Sequence, residues 1–532
     1  MYEDLEFDGL IIGAGHNGLV LGTYLAKCGL KILVLEGRSS VGGMTDTMEN
    51  HLYPGFYHNL HSNLLRDIPL LPWYNDLELW KYGLKLYLPP VNNALPLSDG
   101  RALVTHGDVE ATVRSMSKFS KKDGESFRKL YSKHSEMYKK VIFPEVYSPP
   151  LGDEERESLL RKSGTGREFL ELDKRTGKDI VYESFEDDVI RTYELFMLAT
   201  RMYPFDVPKM GWCVPAMTYL GTRAHLAIGG TKSLAHALSF AFCSHGGTIW
   251  LNRRVKRIVI KDGAATGVQL ADGTTIGAKR FIVGATETIP FLLKIVGEEN
   301  LGKKVVKSLS EVKGDPVGAF SVFVCVNEPP KFSSDKMEPL VDEAYHLGVG
   351  FEDTDTISKQ FESCRKGTMP KKLTLDIINP SLFDTTQAPS GKGTFGVFPF
   401  PIPSATKDKL VEEDLVNQTI EMLREYAPNM NKENIIHSFT YTGEDIVTRM
   451  PDSAGFGPAI IPSQIRDKRP IPECSSYRTP IKNLYISGAG THPHGNVTGA
   501  PGYNAANIIA QDLGLKIWWN PPDVRRLWSE LV

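Results

Sequence analysis

Cysteine is scarce in this chain of 532 residues: six are scattered at positions 28, 213, 243, 325, 364 and 474. None forms a C-x-x-C pair, so neither a disulfide framework, a zinc site nor a redox-active disulfide is expected, nor any other metal site. The usage fits a reducing intracellular compartment such as the cytoplasm. A surplus of either charge is missing too. Lys and Arg total 61 against 64 Asp and Glu, leaving a net charge of -3. That gives no polyanion-binding surface, and nucleic acid is not an expected partner. No stretch reaches the roughly 20 uninterrupted apolar residues that span a bilayer. The apolar segment Leu10 to Ala26 follows acidic residues and is broken by glycines, so it does not read as a signal peptide. A soluble or at most membrane-peripheral protein is expected. No internal repeat or low-complexity tract is found.

What is present is an ordinary globular composition, 41% hydrophobic and 23% charged. The length exceeds what one hydrophobic core serves, so two lobes are expected. Phe7 to Ile12 reads as a buried parallel strand and is followed by Gly13-Ala14-Gly15-His16-Asn17-Gly18. Gly13 permits a tight turn, Gly15 lets backbone approach a pyrophosphate, and Gly18 lets the next helix pack on the strand. A helix from about His16 to Cys28 aims its first amides at phosphates, and Gly29 ends it. Strand Lys31 to Leu35 delivers Glu36, whose carboxylate can accept both hydroxyls of an adenosine ribose and would repel a 2′-phosphate.

Gly37-Arg38 and then Gly42-Gly43-Met44-Thr45 extend this unit beyond the needs of NAD. A basic residue followed by a Gly-Gly turn suits the adenosine and pyrophosphate of FAD, with Arg38 the candidate contact. The His- and Tyr-rich stretch Asp46 to Asn63 would pass near a flavin ring. Trp73 to Pro89 reads as alternating strand, 107 to 145 as charged helix, and 150 to 185 as loop or hairpin. Ser117 to Lys140 is strongly basic and reads either as a solvated helical face or as a membrane-facing surface. Tyr193 to Leu220 is rich in Met and aromatic residues, Trp212 and Met217 among them, and reads either as core or as a ligand pocket.

Gly229-Gly230 opens a helix to about Phe242. Strands Thr248 to Leu251, Val255 to Lys261, Ala264 to Leu270 and Thr274 to Phe281 follow. The last three form a meander split by Asp262-Gly263 and Asp272-Gly273. The meander returns to a further strand, Ile282 to Ala285, beside the cofactor. Gly284 and Ala285 are therefore candidate contacts, and Val255 would face the adenine. Residues 315 to 470 mix strands (317–326, 372–378, 393–400) with a helix, Glu412 to Tyr426. Near the end, Leu484-Tyr485-Ile486 leads into Gly488-Ala489-Gly490 and a glycine-rich loop through Asn496, Val497 and Gly499. A final helix opening there could polarise a flavin ring. Two glycine-rich turns at opposite ends of one chain point to FAD.

G-A-G-H-N-G-L-V, V-G-G-M-T, P-G-F, A-I-G-G-T-K-S-L and N-L-Y-I-S-G-A-G-T-H-P…G-Y-N-A-A together resemble the phytoene desaturase-like (carotenoid oxidoreductase) flavoproteins of the amine-oxidase superfamily. Within them the chain is similar to the members of the pyridine nucleotide-disulphide oxidoreductase domain-containing protein 2 kind, including P-S-L-F-D-T-T-Q-A-P-S-G. The resemblance implies an α/β, two-lobe fold of the glutathione-reductase and amine-oxidase type. Its Rossmann-like FAD-binding domain would comprise 1–70, 221–300 and 475–525. Residues 71–220 and 301–474 would form an interleaved sheet-plus-helix substrate domain, with a helical insertion around 107–215. It also implies non-covalent FAD and C–C dehydrogenation, with isomerisation, saturation and oxidase activity also occurring in the family. Where members often carry three glycines in the terminal loop, this chain has His494-Gly495-Asn496.

A base beside the flavin would act only if the substrate carries a carbonyl. His58, His61, Tyr57 and Tyr503 are the catalytic candidates. Arg223, His225, Trp212, Met217 and His494 are candidates for substrate contact. The expected substrate is apolar or carbonyl-containing and the acceptor oxygen or a quinone, because no second dinucleotide unit appears in 90 to 470. A homo-oligomer is possible. A flavin-dependent isomerase and a non-enzymatic binding protein resembling GDP-dissociation inhibitors are the competing readings.

Overall fold

The computed structural model describes residues 6–404, 409–451 and 457–531. Two seven-stranded sheets carry the fold. In the first, Phe7–Ile12 lies between parallel partners Ile32–Leu35 and Thr275–Gly284. Thr248–Trp250 extends this sheet beyond Ile32–Leu35, and Leu484–Ile486 pairs in parallel with Thr275–Gly284. Ile32–Leu35 and Leu484–Ile486 are buried at every position, as strands covered on both faces are. Val255–Lys261 and Ala264–Leu270 fold back antiparallel as the expected meander. One correction applies: the separate strand expected from Ile282 is the second half of Thr275–Gly284. No turn-forming residue interrupts it, so pairing continues from the meander into the parallel sheet.

Helix His16–Lys27 ends at Cys28, followed by Gly29 with φ +89°. It packs against Lys232–Ser244 and Ala500–Asp512. Ile11, Leu21, Leu238, Phe242 and Tyr503 belong to the shared core. A Cβ at Gly502 would overlap the Asn17 carbonyl oxygen, so only glycine lets the first and last long helices of this layer come so close.

The second sheet is mixed; Val91–Pro96 with His346–Val349 is parallel and the other pairings are antiparallel. Helix Lys409–Tyr426 packs onto it through Leu415, Met422 and Leu423.

Helices Val109–Met116 and Lys121–Met137 occupy the expected helical region. Their basic side chains pair with acids, for example Arg128 with Glu110 at 2.6 Å and Lys122 with Glu186 at 2.6 Å. The loop or hairpin expected over 150–185 is instead three helices, Asp153–Leu160, Gly164–Asp173 and Gly177–Ser184. Ser163, in the Ser163-to-Arg167 stretch that reads as a breaker in the sequence, and Thr176 are N-caps that accept the Gly166 and Asp179 amides. The strand expected from Trp73 to Pro89 is likewise replaced by a short helix, Pro72–Asp76, a 3₁₀ turn, Leu79–Tyr82, and a two-residue strand, Leu86–Tyr87. Pro72 at a helix start and left-handed Glu78 and Gly83 override the alternation. All six cysteines are free. Among the described residues no helix is long and apolar enough to cross a membrane.

Candidate active site

Two cavities lie along the terminal loop: one reaches Ala489 and the other is lined by residues from His492 to Thr498. The first is a groove of about 1060 Å³ at the carboxyl ends of the parallel strands. That is where an open α/β sheet takes its ligand. Its lining includes Gly13, Gly15, His16, Asn17, Glu36, Gly37, Arg38, Gly43, Met44, Val255 and Ala285, all expected cofactor contacts. Glu36 Oε2 accepts the Ala14 N–H and Oε1 accepts the Arg38 N–H, both at 2.9 Å.

These residues fit a dinucleotide. Helix His16–Lys27 has no side-chain cap and no acid in its first turn, so its positive end is left for an anion. A Cβ on Gly15 would stand in open space, the cradle a pyrophosphate would fill. His16 Nε2 and Asn17 Oδ1 are buried without a hydrogen-bond partner among the described residues. Burial lowers the His16 pKa to about 4, so the ring is neutral.

Other expected contacts shape the groove without lining it. A Cβ at Gly18 would overlap the Gly13 carbonyl oxygen, and one at Gly42 would crowd the Thr45 carbonyl. Gly42 donates its N–H to Ala14 O at 2.9 Å, and Thr45 Oγ1 donates to Gly42 O at 2.7 Å. Gly284 faces the Phe291 ring, while Gly488 and Gly490 pack against Thr286 and Thr288.

Sequence reasoning missed Arg449, Arg253, Arg254 and Glu287, which also line the groove. Arg449 joins Arg38 (2.7 Å) and Lys232 (3.4 Å) around the fully buried Asp46. Burial pushes the Asp46 carboxyl up, but the three cations outweigh it and hold the pKa below the ordinary value. No local signal links position 449 to position 46; Glu287, two residues past Ala285, could have been found by extending that strand.

The second cavity, about 830 Å³, is lined by Leu71, Tyr138, Ile142, Tyr147, Trp212 and Leu220 among others, and by His492, Pro493, His494, Asn496, Val497 and Thr498. Trp212 and His494, expected substrate contacts, lie here, and so do Asn496 and Val497, expected at the cofactor but absent from the lining of the dinucleotide groove. Asn496 (φ +67°) and Val497 (φ +54°) are left-handed, a costly state for a β-branched residue and one often found at functional sites. The loop is held from outside, since the Thr498 carbonyl accepts from Trp73 Nε1 at 2.6 Å and Tyr147 Oη at 2.7 Å. Gly499 (φ +63°) lies against the Trp73 indole, where a Cβ would collide.

His494 is buried, with Nε2 3.3 Å from Tyr203 Oη and Nδ1 3.4 Å from Asn496 Nδ2. Burial, then Arg469 and Arg201, lowers its pKa well below the ordinary value. His492 donates from Nε2 to Glu145 O at 3.0 Å, and burial brings its pKa to about 4. Arg156, Arg466, Glu145 and Asp173 form a balanced ion cluster beside them.

The remaining candidates line neither cavity. His58 contacts Thr394 Oγ1 at 2.9 Å and Cys325 Sγ at 3.6 Å beneath the second sheet, and burial lowers its pKa to about 3. His61 faces Tyr441 Oη at 3.3 Å. Tyr57 lies on a hairpin near Glu49, whose charge raises the phenol pKa. Tyr503 is core, edge-on to Tyr24 with ring centres 5.2 Å apart. Met217 is core, Arg223 pairs with Asp67 at 3.0 Å, and His225 lies on a strand paired with Leu65.

A family model described as an NAD(P)-binding Rossmann-like domain matches residues 11–77. The chain is 31% identical to a subunit of the limonene dehydrogenase of Castellaniella defragrans, over 98% of each chain. It is 27% identical to the rat pyridine nucleotide-disulfide oxidoreductase domain-containing protein 2, covering 96% of this chain and 94% of the relative. With the lycopene-forming phytoene desaturase of Pseudescherichia vulneris it shares 24% identity, over 95% and 99%. Among solved structures, an oxidoreductase from Methanosarcina mazei has a TM-score of 0.60 at 16% identity, over 94% and 99%. A triple mutant of putrescine oxidase has 0.59 at 14%, over 96% and 99%. These two show the fold alone. Similarity over the whole length of the limonene dehydrogenase subunit, joined to the groove described above, makes this chain a member of the phytoene desaturase-like family of FAD-dependent oxidoreductases.

Proposed function

We propose that the protein is a dehydrogenase that takes hydride from one carbon of a largely apolar substrate while the neighbouring carbon loses a proton to a base or water, and so introduces a C–C double bond. The observation that carries this reading is the second cavity. Its walls are mostly apolar and aromatic, and its lining begins at His492, three residues along the terminal loop from Ala489 of the dinucleotide groove. Limonene and phytoene in the names of two relatives favour the same substrate class. Bound FAD supplies a two-electron acceptor for hydride. Glu36, the Gly13–Gly18 turn and Arg38 would hold its adenosine and pyrophosphate end, and the 488–499 loop its ring.

The chain's own contribution is placement and dryness. Tyr147 and Trp73 fix the loop, and the aromatic wall excludes water while the reacting carbon is held. If the substrate carries a carbonyl, neutral His494 can take an α-proton at Nδ1. Reoxidation by oxygen or a quinone, a homo-oligomeric state and no more than peripheral membrane contact complete the reading.

The test is to release and identify the cofactor of the purified protein, then mix candidate alkenes and unsaturated carbonyl compounds with it anaerobically. Bleaching of the visible flavin band with formation of a more unsaturated product is expected. Turnover without net electron transfer would make the protein an isomerase, and a colourless protein would make it a binding protein.

A further inference from the structure

Arg66 and Arg201 both line the second cavity, and both are buried, at 5% and 7% exposure. Arg66 Nη1 donates to the carbonyls of Leu220 (3.0 Å) and Gly221 (2.7 Å). Its Nε and Nη2 have no hydrogen-bond partner among the described residues, and neither does Nε of Arg201. Nε and Nη2 are one edge of the guanidinium, the two parallel donors that match the two oxygens of a carboxylate.

The charge is not balanced nearby. Glu145 and Asp173 are committed to Arg156 and Arg466. Asp376, the one carboxylate that acts on Arg66, also bonds His346 Nε2 at 2.8 Å and offsets at most one of the two guanidinium charges. Asp67, next in sequence, is held by Arg223 and by Tyr219 Oη. No carboxylate is among the groups that act on Arg201; its neighbours are phenols, Tyr203 and Tyr138. The imidazoles of His492 and His494 are neutral. Two guanidinium charges out of water, with unfilled donors, cost far more than apolar residues would at the same positions. A hydrocarbon guest would leave that cost in place; an anionic one removes it.

We propose that this cavity takes an apolar substrate bearing a carboxylate, gripped by the Nε–Nη2 edge of Arg66 with Arg201 beside it. The apolar body lies against Leu71, Ile142, Tyr147, Trp212 and Leu220. This inference takes from the proposed function only that the guest is the substrate, and it refines the expected apolar or carbonyl compound into an apolar acid.

The test is isothermal titration of the purified flavin-containing protein with decanoate, methyl decanoate, decanol and decyl phosphate. Decanoate is expected to bind at least about tenfold more tightly than its methyl ester, the worth of a charged hydrogen-bonded pair. Arg66→Met should abolish the preference. Arg66→Lys, which keeps the charge and loses the fork, should lose most of it, and Arg201→Met part. Should Arg66→Met fail to fold because the Leu220 and Gly221 carbonyls lose their donor, Arg66→Lys and Arg201→Met decide. Equal affinity for acid and ester, no binding of the acid, tighter binding of the phosphate, or a preference untouched in both variants overturns the proposal.

Flavin bleaching is scored separately. A neutral alkene that bleaches the flavin while acids show no advantage defeats the carboxylate site and spares the dehydrogenase. Selective acid binding with no bleaching by any compound does the reverse.

Discussion

Glu36 Oε2 accepts the Ala14 amide at 2.9 Å, so the acid expected to hold the ribose also fastens the glycine turn that faces the pyrophosphate. One side chain therefore couples two parts of the groove. Glu36→Gln keeps only one acceptor oxygen and should weaken FAD retention by about tenfold or more, from the 1.5–3 kcal/mol of a charged hydrogen bond. The flavin-to-protein ratio after dialysis, with circular dichroism unchanged, checks it. Full retention of flavin would remove Glu36 from the ribose contact.

Asp46 is the hub for Arg38, Lys232 and Arg449. Removing the acid leaves three cations crowded in a buried place. Asp46→Asn is expected to cost about 3–5 kcal/mol, as for other broken buried ion pairs. Arg449→Met should cost less, since two cations still serve the carboxylate. Chemical denaturation of both variants ranks them.

Gly499 and Gly502 allow the close approaches that seat the terminal loop and helix. Alanine at either site is expected to cost about 1–3 kcal/mol through overpacking. Gly499→Ala should in addition release flavin, because it strains the loop itself at φ +63°. Thermal melts with and without added FAD separate the two effects.

Burial lowers the pKa of His16, His61 and His492 to about 4 and of His58 and His134 to about 3. The unfolded chain takes up these protons near pH 6.5 and the folded chain does not. Stability present above pH 6.5 is therefore lost as pH falls toward the folded values, by about 1.4 kcal/mol per pH unit for each fully titrating group. His134, hydrogen-bonded to Thr218 Oγ1 at 2.9 Å, lines neither cavity. His134→Gln should flatten the stability profile between about pH 6.5 and 4.5, above the carboxylate range, without changing flavin content. An unaltered slope would show that this imidazole charges in the folded state.

His58 and His494 are expected to part company. His58→Ala should lower the melting temperature and change the flavin reduction rate by less than about twofold. His494→Ala should slow reduction by about tenfold or more with a carbonyl-bearing substrate, the usual worth of a positioned proton acceptor. Stopped-flow reduction at saturating substrate distinguishes them.

The cofactor half of the molecule was legible because its chemistry is local. Gly13, Gly15, Gly18 and Glu36 lie within one strand–helix–strand unit, and the meander turns at Asp-Gly pairs. The polar helices of 153–184 read as loop because Gly152-Asp153 and Ser163-Gly164 open helices as readily as they break them. The second cavity was hardest to foresee. Arg66 and Arg201 stand 135 positions apart, on unrelated elements with no shared motif, and only tertiary packing brings both to one wall. His58 and His61 drew notice by clustering in sequence, yet each is spent on a different contact.

Thr498 accepts from an indole and a phenol that belong to separate segments, one near residue 73 and one near residue 147. The floor of the chamber is thereby riveted to its roof at two points. A bulkier guest cannot be admitted by slackening the terminal loop without also loosening whatever cofactor rests on it. Room for a larger guest must therefore come from the helical roof between residues 138 and 220, with the terminal loop left as the fixed plate beneath it.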